Sequence, residues 1–182
     1  MNVEAILSKK ICHNGHNLAE LTHELPVFFI FLRHLGCTFC REALADIGAQ
    51  RRAIELEGAG LALVHMSPPE EADPILDEYG LYDVIKISDP DRELYQSFEL
   101  PRARLHRLLG IKVMIRGLLA GVIRGHGIGS PMGDTWQLPG IFLVYQGKVA
   151  RAYRHTSPAD RPNYVELACF PLNPDQPLPR AW

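Results

Sequence analysis

The stretch Pro26-Val-Phe-Phe-Ile-Phe-Leu-Arg-His-Leu-Gly-Cys-Thr-Phe-Cys40 joins a continuous apolar run to a closely spaced pair of cysteines. The run at residues 27–32 predicts a strand buried on both faces of a sheet, because neither face carries a polar side chain. From Phe39 onward, apolar residues recur every three or four positions as far as Ile54, which predicts a helix. Gly58 and Gly60 are expected to end it. The cysteines are therefore expected on the first turn of a helix that directly follows a buried strand.

This position suits Cys37 and Cys40 to thiol–disulfide chemistry. The N-terminus of a helix offers N–H groups and the positive end of the helix dipole, and both favour a thiolate over a thiol. Two intervening residues place the second sulfur one turn behind the first, within reach of a mixed disulfide or a sulfenic acid formed there. Cys37 is the expected nucleophile and Cys40 the expected resolving cysteine. Positive charge on Arg33, His34 and Arg41 would lower the pKa of Cys37 further.

Alternating strand and helix patterns in the first half of the chain predict a βαβ-based sheet with parallel pairing. Further strands are expected at residues 61–64, 84–88, 141–145 and 148–153, the last two joined by a tight turn at Gly147. Asp73-Pro74 and Asp89-Pro90 are expected to start helices, because an acidic N-cap followed by proline is a helix-start signal. A last helix is expected at residues 164–170.

Length and composition indicate one soluble domain. The chain has 182 residues, of which 47% are hydrophobic and 22% charged, values typical of a globular protein. Residues 1–170 are expected to form the domain, with an insert at about residues 100–133, and the proline-rich residues 171–182 a surface tail. The sequence shows no signal peptide and no membrane span, so a cytoplasmic location is expected, where the four cysteines would not form a structural disulfide framework.

The expected insert is basic: between residues 100 and 133 there are six basic residues and no acidic one. Its arginines are expected to lie on a solvated face. Because no aromatic residues alternate with the basic ones, nucleic-acid binding is not expected, and neither is membrane binding.

The chain resembles the peroxiredoxin-like branch of the thioredoxin fold, which is related to alkyl hydroperoxide reductase and thiol-specific antioxidant proteins. Two motifs carry the resemblance: Phe31-Leu-Arg-His-Leu-Gly-Cys-Thr-Phe-Cys-Arg-Glu42, and Gly133-Asp-Thr-Trp-Gln-Leu-Pro-Gly-Ile-Phe142 continuing to Gly147-Lys-Val149 and Asp160-Arg-Pro162. The match covers about residues 26–170. It implies an α/β, thioredoxin-like fold with a central mixed β-sheet flanked by helices and an insert before the C-terminal β-hairpin.

The resemblance also implies roles outside the cysteine pair. Pro139 stands where a thioredoxin fold carries a cis-proline, which would place the Leu138 backbone beside the cysteines to pair with an extended substrate. Further supporting positions come from the same two motifs: Gly36, Thr38, Gln137 and Gly140.

By resemblance, the chain is a thiol-dependent oxidoreductase with an antioxidant role. No cofactor is implied, and electrons would come from an external thiol of the thioredoxin or glutathione type. Peroxiredoxins place a threonine or serine three residues before the attacking cysteine and a proline four residues before that. This chain has His34 and Ile30 there when counted from Cys37, or Cys37 and Arg33 when counted from Cys40. The substrate, a protein disulfide or a peroxide, therefore stays open, and so does the choice between monomer and homodimer.

Two alternatives from other functional classes stay open. The chain would also suit a non-catalytic redox-sensing module, in which the state of the cysteine pair alters a partner-binding surface such as the basic insert. A zinc-binding structural domain is the third interpretation, because Cys12, His13 and His16 have spacings that would combine with Cys37 and Cys40.

Overall fold

A computed structural model describes residues 3–103, 133–157 and 159–169. The helices are α1 (Val3–Leu7), α2 (Leu18–Glu24), α3 (Thr38–Leu56), α4 (Pro69–Glu78), α5 (Glu93–Ser97) and α6 (Tyr164–Ala168). The strands are β1 (Val27–Phe31), β2 (Gly60–His65), β3 (Ile85–Ser88), β4 (Gly140–Tyr145) and β5 (Lys148–Arg154). Each expected strand forms, with its ends within one residue of the expected ones.

The five strands form one mixed sheet in the order β3-β2-β1-β4-β5. β2 runs parallel to β1 and to β3, whereas β4 runs antiparallel to β1 and to β5. The carboxyl ends of β1 and β2 therefore meet the amino end of β4, where Phe31 pairs with Val64 and with Gly140. The expected α/β fold with a central mixed sheet flanked by helices is confirmed, and the cysteine pair follows this end of the sheet.

All five residues of β1 are buried, and their side chains serve two separate cores. On one face of the sheet, Phe31 packs against Phe98 and Phe142 with ring centroids 4.9 and 5.5 Å apart. On the other face, Phe28 and Ile30 join a second cluster with residues of α3, α4 and α6. The apolar run is continuous because neither side of β1 faces solvent.

Tyr95, on α5, fixes the ends of β1 and β2 where the chain turns toward the cysteines. Its hydroxyl lies 2.6 Å from the Leu32 carbonyl and 3.0 Å from the Val64 carbonyl. The Leu32 amide also donates to the Val64 carbonyl, at 2.9 Å. Buried polar groups are stable only when partnered, so this cluster holds the exit of β1 in one direction.

The expected helix start at Asp73-Pro74 is wrong. α4 begins at Pro69, and Pro74 lies inside the helix. Proline is favoured in the first turn of a helix, so the earlier Pro68-Pro69 pair provides the start. The Asp73 carboxylate forms an ion pair with Lys86 at 2.9 Å instead of capping.

The second expected start is nearly right. α5 begins at Glu93 rather than directly after Pro90. Arg92 is the N-cap residue, but the Asp89 carboxylate still accepts a hydrogen bond from the Leu94 amide in the first turn, at 2.8 Å.

Most of the expected insert at residues 100–133 and all of the expected tail at residues 171–182 lie outside the described residues. The division into domain, insert and tail therefore stays a prediction. Within the described part of the chain, no helix combines the length and the hydrophobicity needed to cross a membrane.

Gly48 lies on α3 against Tyr79 at the end of α4. A Cβ atom at this position would overlap the Tyr79 carbonyl oxygen. We expect Gly48→Ala to lower the free energy of unfolding by about 1–3 kcal/mol, as overpacking does, although alanine is the better helix former where space allows. Urea unfolding followed by circular dichroism measures the change, with Arg52→Ala on the exposed side of α3 as the control. A Gly48→Ala protein as stable as the unchanged chain would contradict this packing.

Candidate active site

Cys37 lies at the N-cap of α3, at the end of a turn that follows β1. Its amide donates to the His34 carbonyl at 3.0 Å and closes the turn, and its carbonyl accepts a hydrogen bond from the Arg41 amide at 3.0 Å. Gly36 lies inside this turn and Thr38 is the first residue of α3; both are buried. The expected strand, turn and helix around the cysteine pair are present.

The pKa values of Cys37 and Cys40 are shifted in opposite directions. A hydrogen bond from the Cys40 thiol lowers the pKa of Cys37 to about 6, and the charge of Arg33 adds to this effect while burial opposes it. The hydrogen bond to Cys37 and complete burial together raise the pKa of Cys40 well above that of an ordinary thiol. At neutral pH, Cys37 is therefore a thiolate and Cys40 keeps its proton. One sulfur of the pair is therefore charged and the other is protonated, and a thiolate is the reactive form of cysteine.

Arg33 connects Cys37 to the second half of the chain. Its Nη1 donates to the Cys37 sulfur at 3.3 Å, while its Nε donates to the Thr135 carbonyl at 2.8 Å and its Nη2 donates to the same oxygen. Asp134 pairs with Arg92 and, at 3.0 Å, with Arg102. The segment beginning at Gly133 is thereby fixed and in turn orients the guanidinium toward the sulfur.

His34 differs from its expected role. Its side chain is buried, and burial lowers its pKa to about 4, with the charge of Arg33 adding to the shift. The ring is neutral at neutral pH, so it supplies no positive charge. Arg41 directs its Nε to the Leu35 carbonyl at 3.3 Å. Among the described residues, Arg33 thus provides positive charge at Cys37, as expected, and His34 does not.

The expected cis-proline is wrong, because the Leu138–Pro139 peptide bond is trans. The Leu138 amide donates to the Pro101 carbonyl at 3.1 Å, and the Ala103 amide donates to the Trp136 carbonyl at 2.6 Å. The chain's own residues 101–103 thus occupy the backbone that was expected to pair with an extended substrate. This contact joins segments on either side of residues 104–132, so no local pattern indicates it.

Gln137 and Gly140 stabilise this internal pairing. Gln137 is buried, and its Nε2 donates to the carbonyls of Pro101 and Leu138 at 3.2 and 3.1 Å. Gly140 begins β4, and a Cβ atom there would overlap the Leu100 side chain. Both residues of the second motif therefore hold the segment around residues 100–103 rather than presenting a group to a substrate.

A cavity of about 20 Å³ adjoins the two cysteines. Its polar and ionisable lining consists of Arg33, Cys37, Cys40, His155, Asp160 and Tyr164. A volume of this size holds one water-sized group. Sequence reasoning missed His155 at the end of β5 and Tyr164 at the start of α6. Their place depends on the β4–β5 register, in which Gly140 pairs with Arg154, and no local pattern shows that register.

A larger cavity of about 430 Å³ lies at the amino ends of β2 and β3, with Gly60 and Ile85 in its lining. Neither cysteine of the pair lines it. Because the cysteine pair follows the carboxyl end of β1, this cavity lies at the opposite end of the strands.

The residues that the zinc-binding alternative would use as ligands are not brought together. The Cys12 sulfur contacts the Asn14 side-chain oxygen at 2.8 Å and the His16 carbonyl at 3.1 Å. The His13 ring accepts a hydrogen bond from the Lys86 amide at 3.0 Å. Among the residues that the structure describes, no group of three or more His, Cys, Asp or Glu side chains is arranged to hold a metal ion.

The solved structures similar to this chain include peroxiredoxins. A cysteine-to-serine mutant of the peroxiredoxin 6 of Arenicola marina has a TM-score of 0.59 and 11% identity, over 87% of this chain and 66% of that one. Peroxidoxin BcpB from Mycobacterium tuberculosis has a TM-score of 0.55 and 16% identity, over 88% and 87% of the two chains. The bacterioferritin comigratory protein of Xanthomonas campestris, which has an alkyl peroxide reduction activity, has a TM-score of 0.53 and 17% identity, over 82% and 83%.

No protein family model and no curated protein matches the sequence. The chain spans just under two thirds of the Arenicola marina protein, 66% of its length. At identities of 17% or less, the likeness concerns the arrangement of helices and strands. The chain therefore has the thioredoxin-like fold that these peroxiredoxins share.

Removing the guanidinium tests the electrostatics of the site. Arg33→Met keeps much of the apolar stem but removes the charge and the donor to Cys37. We expect the pKa of Cys37 to rise from about 6 by about one unit or more, because an opposite charge in contact shifts a pKa by about 1–3 units. The midpoint of the rate of Cys37 alkylation by iodoacetamide then moves to higher pH. Arg52→Met is the matched control, and an unchanged midpoint in Arg33→Met would exclude this role.

Proposed function

We propose that this chain is a thiol-dependent oxidoreductase that cycles Cys37 and Cys40 between a dithiol and a disulfide. The observation that carries the proposal is the Arg33 guanidinium 3.3 Å from the Cys37 sulfur, beside a Cys40 thiol that is hydrogen-bonded to the same sulfur. A stabilised thiolate is the nucleophile that thiol chemistry needs. A protonated thiol one helical turn away is positioned to resolve what forms on it. The fold shared with peroxiredoxins supports this class of chemistry.

With a hydroperoxide as substrate, the Cys37 thiolate attacks the terminal oxygen, and the O–O bond breaks. Cys37 becomes a sulfenic acid, and the departing alkoxide or hydroxide takes a proton and leaves as alcohol or water. The Cys40 sulfur then attacks the Cys37 sulfur, the S–O bond of the sulfenic acid breaks as the disulfide forms, and the departing hydroxide leaves as water with the proton from Cys40. An external thiol of the thioredoxin or glutathione type returns two electrons and restores both thiols.

A small oxidant fits the site better than an extended peptide. The Leu138 amide and the Trp136 carbonyl are already bonded to residues 101–103, so this backbone is not available for a polypeptide. The cavity beside the sulfurs measures only about 20 Å³. We therefore favour hydrogen peroxide or a small hydroperoxide. The alkyl peroxide reduction activity of the structurally similar Xanthomonas campestris protein supports this choice.

A small disulfide is the alternative substrate. His34 and Ile30 stand where peroxiredoxins have a hydroxyl and a proline before the attacking cysteine. Attack on a disulfide does not need that hydroxyl, since the departing group is itself a thiolate. A cytoplasmic location suits either substrate, because the dithiol is restored from a thiol pool.

A redox-sensing role is the second candidate function, and the Arg33 contact favours it. Arg33 bonds to Cys37 and to the Thr135 carbonyl at once. Loss of the thiolate on oxidation would weaken one of these contacts and free the guanidinium to move relative to the segment at Thr135. Oxidation would then alter a surface without turnover.

Cysteine substitutions test the proposed cycle. With hydrogen peroxide and a dithiol reductant, we expect Cys37→Ser to abolish catalytic peroxide consumption, because the nucleophile is lost. Cys40→Ser is expected to react once and to stop as a sulfenic acid at Cys37, which dimedone captures and mass mapping locates. Cys12→Ser is the control, because the Cys12 thiol is buried with a raised pKa and lies outside the site.

The same assay separates the substrates. We expect consumption of hydrogen peroxide to exceed reduction of cystine, and reduction of a disulfide-bonded peptide to be slowest. Sustained turnover by Cys37→Ser would refute the assignment of the nucleophile. A reversible disulfide without turnover of any of the three substrates would favour the redox-sensing role.

A further inference from the structure

His155 is a buried histidine that the reaction proposed above does not use. It follows β5 and is 6% exposed. Its Nδ1 has no hydrogen-bond partner among the described residues, although buried polar atoms are normally partnered. His155 is among the residues that line the same cavity as Cys37 and Cys40. His34 has an unpartnered Nδ1 as well, but it does not line this cavity.

The surroundings of His155 keep it neutral. Burial lowers its pKa to about 4, while the Asp160 charge and the Pro139 carbonyl oppose the shift. The Tyr153 ring packs edge-on against the imidazole, with centroids 5.0 Å apart. The Asp160 carboxylate is engaged by the Thr156 amide at 2.8 Å and by other groups of its own turn. Arg33, Tyr164 and the two cysteines complete the polar lining of the cavity.

We propose that His155 relays, through one water in this cavity, the proton that leaves Cys40 to the group that departs from Cys37. The proposal rests on the dithiol cycle proposed above and adds a residue to its second step. A cavity of about 20 Å³ accommodates one water, and His155, Cys40 and Tyr164 supply polar partners for it. A neutral imidazole nitrogen accepts a proton and returns it.

The step balances without any further reactant. The Cys40 sulfur attacks the Cys37 sulfur, the S–S bond forms, and the S–O bond of the sulfenic acid breaks with its electron pair. The Cys40 proton passes to His155 Nδ1 and from the imidazolium to the departing hydroxide, which leaves as water. In a mixed disulfide, the departing group is the substrate thiolate, which leaves as a thiol. The oxidising equivalent is already present on Cys37 in both cases.

The charge on Cys37 determines when this proton transfer occurs. In the reduced protein, the Cys37 thiolate and burial hold the Cys40 proton in place. Once Cys37 is a sulfenic acid or a mixed disulfide, that negative charge is gone, and the pKa of Cys40 falls. The relay therefore operates only after the first step, when a departing group needs the proton.

Rapid mixing with hydrogen peroxide, followed by alkylation and mass mapping, measures the two steps separately. We expect His155→Asn to leave Cys37 oxidation unchanged and to slow the conversion of sulfenic acid to disulfide about 100-fold, within the range of a positioned acid–base group. In the unchanged protein, the rate of disulfide formation should not depend on pH above the pKa of His155, about 4, where the ring is neutral. Below that pH the rate should fall. In His155→Asn, the rate of disulfide formation should keep rising with pH, because Cys40 must then ionise without the help of His155.

The control is His65→Asn, which removes a buried histidine at the end of β2 whose Nδ1 contacts the Ser67 carbonyl. It should leave both steps unchanged. The relay alone would be overturned if His155→Asn formed the disulfide at the unchanged rate and if that rate did not depend on pH. Absence of any Cys37–Cys40 disulfide in the unchanged protein would overturn the proposed function and the relay with it. If His155→Asn does not fold, the test uses the unchanged protein. Its disulfide formation from the sulfenic acid must then be slower in D₂O than in H₂O, and equal rates in the two solvents would overturn the relay.

Discussion

The Arg33 guanidinium lies between the Cys37 sulfur and the Thr135 carbonyl, and this contact links every part of the site. Nη1 donates to the sulfur, whereas Nε and Nη2 donate to the carbonyl. A planar fork with fixed donors makes such a double contact, which a lysine ammonium would not hold in one orientation. The Thr135 end is itself fixed, because neighbouring Asp134 pairs with Arg92 and Arg102. Positive charge is thereby held at the Cys37 sulfur in a largely buried site, where water screens it little.

The difference in acidity between the sulfurs gives the site its chemical direction. Cys37 and Cys40 share a hydrogen bond that favours the thiolate on the first and the thiol on the second. Burial acts against charge at both, but Arg33 offsets it at Cys37. In the proposed cycle, an oxidant therefore meets the Cys37 thiolate, and the Cys40 thiol reacts only after the charge on Cys37 is gone. The backbone of Leu138 is meanwhile closed by residues 101–103, which restricts the site to small oxidants in the proposed reaction.

The sequence predicted what local patterns determine and missed what distant contacts determine. The strand, turn and helix around Cys37 follow from an uninterrupted apolar run and a helical period, and the hairpin follows from Gly147 between two strand patterns. The pairing of Leu138 with Pro101 joins segments far apart in the chain, and no sequence pattern indicates it. The resemblance wrongly suggested a cis-proline and a Leu138 backbone available to an extended substrate. His155 lines the cavity beside the cysteines because of the register of β5, which no short motif reveals. The prediction of a positive charge on His34 was wrong, because the sequence shows the residue type but not its burial.

The dithiol cycle is tested most directly by a redox titration of the metal-free protein in graded dithiol buffers, read by peptide mass mapping. We expect an intramolecular Cys37–Cys40 disulfide that forms and disappears reversibly at one potential within the range of cytosolic thiol pools. Cys12 and Cys169 are expected to stay reduced throughout. Oxidation that yields only intermolecular adducts, or a pair that stays reduced under all conditions, would contradict the account.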